Sequence, residues 1–368
     1  MGLMSGTSLD GVDALLADFA PFTGAALEVL AHVHRPFPAA LHTELLALNT
    51  PGDNELHRAA LAANALSRVY AEAASFVLRK SGIAGDAVRA LGAHGQTVRH
   101  RPSEFDATGY SLQLLNPALL AELTGIDVVA DFRSRDVAAH GQGAPLVPAF
   151  HRAVFSRPGE TVAVLNLGGI GNLTVLDSTG AVKGFDCGPG NALMDHWCQQ
   201  HTGQPYDDSG GWAASGQLDA PLLDAMLAEP YFAMAPPKST GRDLFNPGWL
   251  KSRLQGYPSA QPQNVQSTLT ELTARVCAHA VQHYAQGARE LLVCGGGALN
   301  KYLMSRLASL LSDVEVLATD RRGLPAQQVE AAGFAWLARA LIERKPGNLP
   351  AVTGATGERL LGAHYPVR

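Results

Sequence analysis

Three short runs of this sequence combine glycine with hydroxyl or amide side chains: Ser5-Gly6-Thr7-Ser8-Leu9-Asp10-Gly11, Asn166-Leu167-Gly168-Gly169-Ile170-Gly171-Asn172 and Cys294-Gly295-Gly296-Gly297-Ala298-Leu299-Asn300. Phosphate binding needs this composition, because glycine lets backbone N–H groups approach an anion closely and hydroxyls add donors. Asp10 or Asp13 can meet a phosphate-bound Mg²⁺, directly or through one of the waters this ion keeps. The third run falls between a strand pattern and a helix pattern, where a helix N-terminus also faces an anion favourably. Taken singly, each run reads more readily as a hairpin turn. Three of them, each after an apolar stretch, are harder to dismiss.

The carboxylates are less decisive alone. Asp186 ends an apolar stretch just before Gly188-Pro189-Gly190, a position that suits a general base, a turn aspartate or a helix cap equally well. Asn191 is the better cap. Glu330 opens the last long helical pattern, where a negative charge is favourable for the helix in any case. Arg133 follows a strand end, so a bidentate carboxylate partner and plain solvation are both open. His94, Gln96 and Thr97 sit just past a strand and carry donors and acceptors that suit sugar hydroxyls. His279 and His283 share a helix face at a spacing a metal would accept. No His-Glu-x-x-His accompanies them, and they read as packed or exposed histidines. No Gly-Lys dipeptide occurs in the chain, which excludes a Walker A loop, and no strand leads into a dinucleotide fingerprint.

Elements of two kinds must position these residues. Met1–Ser5, a turn, and Val12–Phe19 predict a strand hairpin, followed by helices over Ala39–Ala47 and from about Glu55 to Arg79 with a stop at Ser81-Gly82. Val88–Ala93 predicts a strand, Pro117–Leu123 a helix and Asp127–Ala130 a short strand. The pattern restarts near residue 160. Thr161–Leu167, Asn172–Leu176 and Ala181–Asp186 predict three strands separated by turns. Val265, Leu269, Leu272 and Val276 mark a helix face. Leu291–Cys294 predicts a strand, and Val329–Glu343 a helix. Each half thus opens with a strand, a small-residue turn and a returning strand, a weak self-similarity without a short repeat. Two α/β halves follow, expected at 1–150 and 151–368.

The 368 residues suffice for two domains of ordinary size, and 46% hydrophobic with 17% charged residues is a globular balance. A net charge of -5 argues against nucleic acid or an anionic membrane as the main partner. The four cysteines, Cys187, Cys198, Cys277 and Cys294, form no close pair and read as reduced, buried thiols. No signal-peptide pattern and no apolar run of membrane-spanning length is present, so a cytoplasmic protein is expected.

In order along the chain, several segments resemble the anhydro-N-acetylmuramic acid kinase family. They are Gly2-Leu3-Met4-Ser5-Gly6-Thr7-Ser8-Leu9-Asp10-Gly11-Val12-Asp13, His94-Gly95-Gln96-Thr97, Asp131-Phe132-Arg133, 143–148, 166–172, Phe185-Asp186-Cys187-Gly188-Pro189-Gly190-Asn191 and 329–335. The resemblance runs from residue 2 to about residue 340. It implies an α/β, two-domain actin-like ATPase (ribonuclease H-like) fold with an interdomain cleft for ATP, and commonly a homodimer. The implied reaction opens the 1,6-anhydro bridge of the amino sugar with water and phosphorylates O6, giving N-acetylmuramic acid 6-phosphate in cell-wall recycling.

The resemblance also distributes roles. Asp186 matches the catalytic aspartate, and Glu330 is expected to bind the sugar or assist the water. Gly6, Thr7, Ser8, Leu9, Asp10, Gly11, Val12, Asp13, Gly168, Gly169, Gly171, Asn172, Gly295, Gly296 and Gly297 are expected around ATP, with Asp10 as the Mg²⁺ contact. His94, Gln96, Thr97, Arg133, Gly188, Gly190 and Asn191 are expected around the sugar, with Arg133 on its lactyl carboxylate. Two departures stand out: the first strand is short, and His140 stands where a glycine is expected. A kinase of another sugar, a nucleotide-driven conformational protein and a plain glycosidase remain the alternatives.

Overall fold

The computed structural model describes residues 1–6, 8–19, 26–241 and 244–368. Among these, the strands in chain order begin with β1 (Gly2–Met4), β2 (Gly11–Asp18), β3 (Glu28–Pro36) and β4 (Leu91–Ala93). A hairpin follows, β5 (Gln96–Pro102) and β6 (Gly109–Leu114), then β7 (Val128–Ala130). The remainder are β8 (Val162–Leu167), β9 (Ile170–Leu176), β10 (Val182–Pro189), β11 (Glu290–Cys294), β12 (Glu315–Ala318) and β13 (Ala363–Tyr365).

The chain folds as two compact units, one of Met1–Val154 with Gln328–Arg368, the other of Phe155–Gln327. In the first, the sheet order is β13-β7-β4-β1-β2-β3. β1, β2 and β3 form an antiparallel meander, while β4 and β7 continue the sheet in parallel. The second unit repeats this plan, with order β10-β9-β8-β11-β12, an antiparallel meander of β8, β9 and β10, then parallel β11 and β12. Meander first, parallel strands added beside its first member, in both units: this is the actin-like, ribonuclease H-like topology. The self-similarity between the halves is therefore structural.

The division differs from a single cut at residue 150, because 328–368 returns to the first unit. Helix Val329–Ile342 lies directly on β1 and β4, and two glycines permit it. A side chain at Gly2 would come within 1.8 Å of Ala331 O, and one at Gly92 within 2.1 Å of Phe334 O. Glu330 consequently belongs to the first unit. On the same sheet, helix Glu55–Ser81 buries Leu66, Val69, Tyr70, Ala73, Ala74 and Val77, a 3–4 residue periodicity, and ends on Gly82 at φ 69°.

In the second unit, helix Pro262–Tyr284 contains the predicted Val265, Leu269, Leu272 and Val276, all buried. The stripe was drawn too narrowly, since Ser267, Thr268, Thr270 and Thr273 are buried as well. The three threonine hydroxyls bond backbone carbonyls, as Thr270 Oγ1 does to Gln266 O at 3.0 Å, which makes them acceptable in a core. The four cysteines are buried thiols, none in a disulfide. Among the described residues no helix is long and apolar enough to cross a membrane.

Candidate functional site

Asp186 lies near the end of β10, opposite Asn172 on β9. Its main chain is held from both sides. The backbone N–H donates to Lys238 O at 3.2 Å, and the carbonyl accepts from the Tyr231 hydroxyl at 2.8 Å. Its carboxylate Oδ2 accepts from the backbone N–H of Thr240 at 2.9 Å. A segment 45 to 54 residues further along thus clamps this aspartate at three points. Lys238 Nζ donates to the carbonyls of Tyr231 and Phe232 at 3.2 and 3.4 Å. Burial lowers its pKa against the opposing pull of nearby Cys187 and Asp186. Two buried polar atoms beside Asp186, Asn172 Oδ1 and Thr240 Oγ1, have no hydrogen-bond partner among the described residues. An orphaned buried acceptor or donor is costly, so a bound ligand that pairs with both would be favoured by their desolvation.

The glycine runs of this unit converge. The turn between β8 and β9 directs its carbonyls at the start of helix Ala192–Thr202: Gly190 N donates to Gly169 O at 2.9 Å and Asn191 N to Gly168 O at 2.8 Å. Asn191 Nδ2 adds a bond to Leu167 O at 3.0 Å. A side chain at Gly190 would meet Gly168 O at 2.3 Å, one at Gly295 would meet Asn166 Oδ1 at 2.5 Å, and one at Gly297 would meet Leu167 Cβ at 2.5 Å. These glycines are needed for packing of loop on loop. Gly168 and Gly296 are different: a side chain would meet only Ile170 O at 3.9 Å and Asn191 Nδ2 at 3.5 Å. The run 294–300 lies between β11 and helix Lys301–Leu310, as the sequence suggested. Within it Gly296–Leu299 form a 3-10 turn, and Asn300 caps the helix, its Oδ1 accepting from Leu303 N at 3.0 Å.

In the first unit the opening loop joins β1 to β2. Ser5 Oγ bonds the Tyr70 hydroxyl at 2.8 Å and donates to Gly95 O at 3.1 Å, which fixes the loop's start. Gln96 Nε2 donates to Gly6 O at 3.1 Å, so Gln96 shapes the loop, while its buried Oε1 lacks a partner. Leu9 adopts φ 61° with its side chain buried, Val12 is in the core, and a side chain at Gly11 would meet Arg35 O at 2.3 Å. What these three offer a ligand is backbone only. Ser8 and Asp10 are exposed and joined, Ser8 Oγ donating to Asp10 Oδ1 at 2.8 Å. Thr7 lies outside the described residues. Asp13 turns to β3, where Oδ1 takes His32 Nε2 at 2.9 Å and His34 Nδ1 at 3.3 Å. Burial raises its pKa, but the two histidines outweigh it and the net shift is downward. At Gly6 a side chain would meet only Ser8 Oγ, at 3.9 Å.

The backbone is thus open at Gly6, Gly168 and Gly296, where packing does not require glycine. Gly6 belongs to the first unit and Gly168 and Gly296 to the second, and bare backbone of this kind has the chemistry that fits a phosphate group.

His94 and Arg133 form one device. The buried ring sits 4.5 Å from Phe334, with Nδ1 at 3.4 Å from Ser5 O. Arg133 directs Nε at 3.2 Å and Nη2 at 2.9 Å to His94 Nε2, and Nη1 to Gly143 O at 2.7 Å. Burial, then the guanidinium charge, holds the His94 pKa well below its ordinary value, so the ring is neutral and accepts at Nε2. Gly143 N donates in turn to Asp136 Oδ2 at 2.8 Å; Asp136 is fully buried, with Asn348 and Thr353 donating to Oδ1 at 2.7 and 2.8 Å. Thr97 Oγ1 accepts from Gln113 at 3.1 Å. His140, where the family resemblance led us to expect a glycine, is exposed at φ 64°, a left-handed conformation that glycine adopts at less cost. Glu330 is half-buried in the first turn of its helix. His279 and His283 stack parallel, ring centres 6.0 Å apart.

Sequence reasoning missed Tyr70, Tyr231, Lys238, Thr240 and the Asp136 cluster. Only Lys238-Ser239-Thr240-Gly241, a turn-like run in a Pro-rich stretch, carried any local signal.

The sequence profile of the family described as anhydro-N-acetylmuramic acid kinase matches residues 1–367. The chain is 64% identical over 371 residues to the anhydro-N-acetylmuramic acid kinase of Variovorax paradoxus (strain S110), covering 100% of this chain and 98% of that protein. It is 60% identical over 386 residues to that of Albidiferax ferrireducens (strain ATCC BAA-621 / DSM 15236 / T118), again covering 100% and 98%. Among solved structures, component A of the Acidaminococcus fermentans (R)-2-hydroxyglutaryl-CoA dehydratase is similar with a TM-score of 0.47 at 12% identity, over 91% of this chain and 95% of that one.

Proposed function

The chain belongs to the anhydro-N-acetylmuramic acid kinase family, and from that premise we propose that it is an ATP-dependent kinase. It opens 1,6-anhydro-N-acetylmuramic acid hydrolytically and phosphorylates O6, giving N-acetylmuramic acid 6-phosphate. The observation that carries this reading is the Asp186 clamp, with Asn172 Oδ1 and Thr240 Oγ1 beside it, buried and without a partner among the described residues.

The chemistry follows from the substrate. An intramolecular bridge leaves O6 without a proton, so no hydroxyl is there to deprotonate. The reaction starts at the anomeric carbon, where Asp186 takes a proton from water as the C1–O forms and the C1–O6 bond breaks, as in inverting glycoside hydrolysis. Bound ATP with Mg²⁺ supplies the γ-phosphoryl group that accepts O6. Fixing the Asp186 backbone at both N–H and carbonyl preorganises the base, and Oδ2 bonded to an N–H orients the carboxylate. In the second unit the open backbone at Gly168 and Gly296 would hold phosphate oxygens; in the first, Gly6 would do the same and Asp10, exposed on the opening loop, would hold the Mg²⁺, directly or through water. Arg133, oriented by His94 and Gly143, meets the lactyl carboxylate, and Glu330 binds a sugar hydroxyl. A cytoplasmic homodimer is part of the same reading. The test is incubation with Mg-ATP and the anhydro sugar, followed by detection of ADP and a 6-phosphosugar in equal amounts. Absence of both, with turnover of another sugar, contradicts it.

A further inference from the structure

Behind the strand that carries Asp186, the second unit contains a cavity of about 600 Å³ that the reaction does not use. Phe185 and Cys187 form part of the cavity wall, while Asp186 between them is not among its lining residues; it pairs opposite Asn172, next to a break in the β9–β10 register. The wall is aromatic and aliphatic: Phe185 meets Tyr284 edge-on at 4.8 Å, and Phe232, Met234 and Val276 continue it. Around this body stand Lys238, Arg275, His279 and His283, and no aspartate or glutamate is among the described residues that line the cavity. Among the described residues Glu271 is bonded to that set; it takes Arg275 Nε at 2.8 Å but also holds Arg306 at 2.8 Å, leaving that cluster with net positive charge. At the rim, Gln282 Nε2 is tied to Leu310 O at 2.9 Å.

Volume, apolar lining and a few converging polar groups are the attributes of a small-molecule site. We propose that this cavity is a second ligand site, taking an amphipathic anion: a flat ring or short apolar body bearing one carboxylate, sulfonate or phosphate. Its occupancy reaches Asp186 through shared parts. Residues 232–234 and Lys238 line the cavity, and the same segment supplies Lys238 O and Thr240 N–H to Asp186. The coupling rests on Asp186 as the base; the binding does not.

The probe is 8-anilino-1-naphthalenesulfonate, titrated into the full chain by fluorescence. One saturable site per chain is expected. Ala233→Trp, an exposed lining position, fills the mouth, and the combined Arg275→Gln, His279→Gln, His283→Gln variant removes rim charge; each weakens binding about tenfold or more. Probe binding lowers kcat with the same half-saturation as the fluorescence. Binding unchanged in both variants, or no saturation, overturns the site. So does self-association that excludes the probe and is abolished by Ala233→Trp, because the face is then a subunit contact. Probe binding without effect on kcat overturns the coupling. An active Asp186→Asn variant removes the base assignment while leaving the titration intact.

Discussion

Arg133 presents two of its nitrogens, Nε at 3.2 Å and Nη2 at 2.9 Å, to a single acceptor, Nε2 of His94. This fork fixes the guanidinium plane, and Gly143 O fixes its far end. A lysine keeps the charge but has no planar fork to satisfy His94 and a carboxylate together. Arg133→Lys is therefore expected to raise KM for the anhydro sugar about tenfold or more, with KM for ATP little changed. Steady-state kinetics in both substrates checks this, and an equal rise in both constants would remove Arg133 from the sugar site.

Asp186→Asn preserves shape and the bond from Thr240 N–H but cannot accept a proton. Turnover should fall about 10²–10⁴-fold. ATP binding by calorimetry should persist, since asparagine keeps the size of the side chain and leaves the open glycine backbone untouched.

Glycines of the candidate site divide into two sets with opposite signatures. Gly190→Ala and Gly295→Ala place a methyl against backbone or Asn166, and each should destabilise the fold by about 1–3 kcal/mol. Gly6→Ala and Gly168→Ala meet nothing closer than 3.9 Å. They should leave the unfolding midpoint nearly unchanged while weakening ATP, because the methyl occupies the approach to the phosphates. Denaturant melts alongside nucleotide titrations separate the sets.

Two buried histidines make the fold acid-sensitive. Burial pushes His151 down to about 3, and burial together with Arg133 pushes His94 well below its usual value. Below about pH 6.5 the unfolded chain takes protons that the folded chain refuses, so stability falls as pH falls. His151 alone should account for about 2 kcal/mol between pH 7 and pH 5. Denaturation midpoints across that range test it; a flat profile would mean that these rings accept protons in the folded state.

Much of the framework was legible in the sequence because it is locally encoded. Ala39–Ala47 was read to the residue, and Ser81-Gly82 was rightly seen as a helix stop, since apolar periodicity and a glycine terminator are local signals. β3 was not seen, because most of it is exposed or half-buried and shows no apolar alternation. The return of 328–368 to the first unit depends on Gly2 and Gly92 facing a helix more than two hundred residues away, which no local pattern reports. The site divides in the same way. Asp186 stood out by its place before Gly188-Pro189-Gly190, but the Tyr231, Lys238 and Thr240 clamp on it did not, because it exists only once the intervening helices have folded.

The central claim is that water attacks the anomeric carbon while O6 passes to phosphorus, and isotope tracing tests it most directly. In H₂¹⁸O with Mg-ATP and the anhydro sugar, the product is predicted to carry one ¹⁸O at C1 and none in its phosphate, and in Asp186→Asn this labelled product forms about 10²–10⁴-fold more slowly. Label in the phosphate, or a 6-phosphosugar without label at C1, would contradict the account.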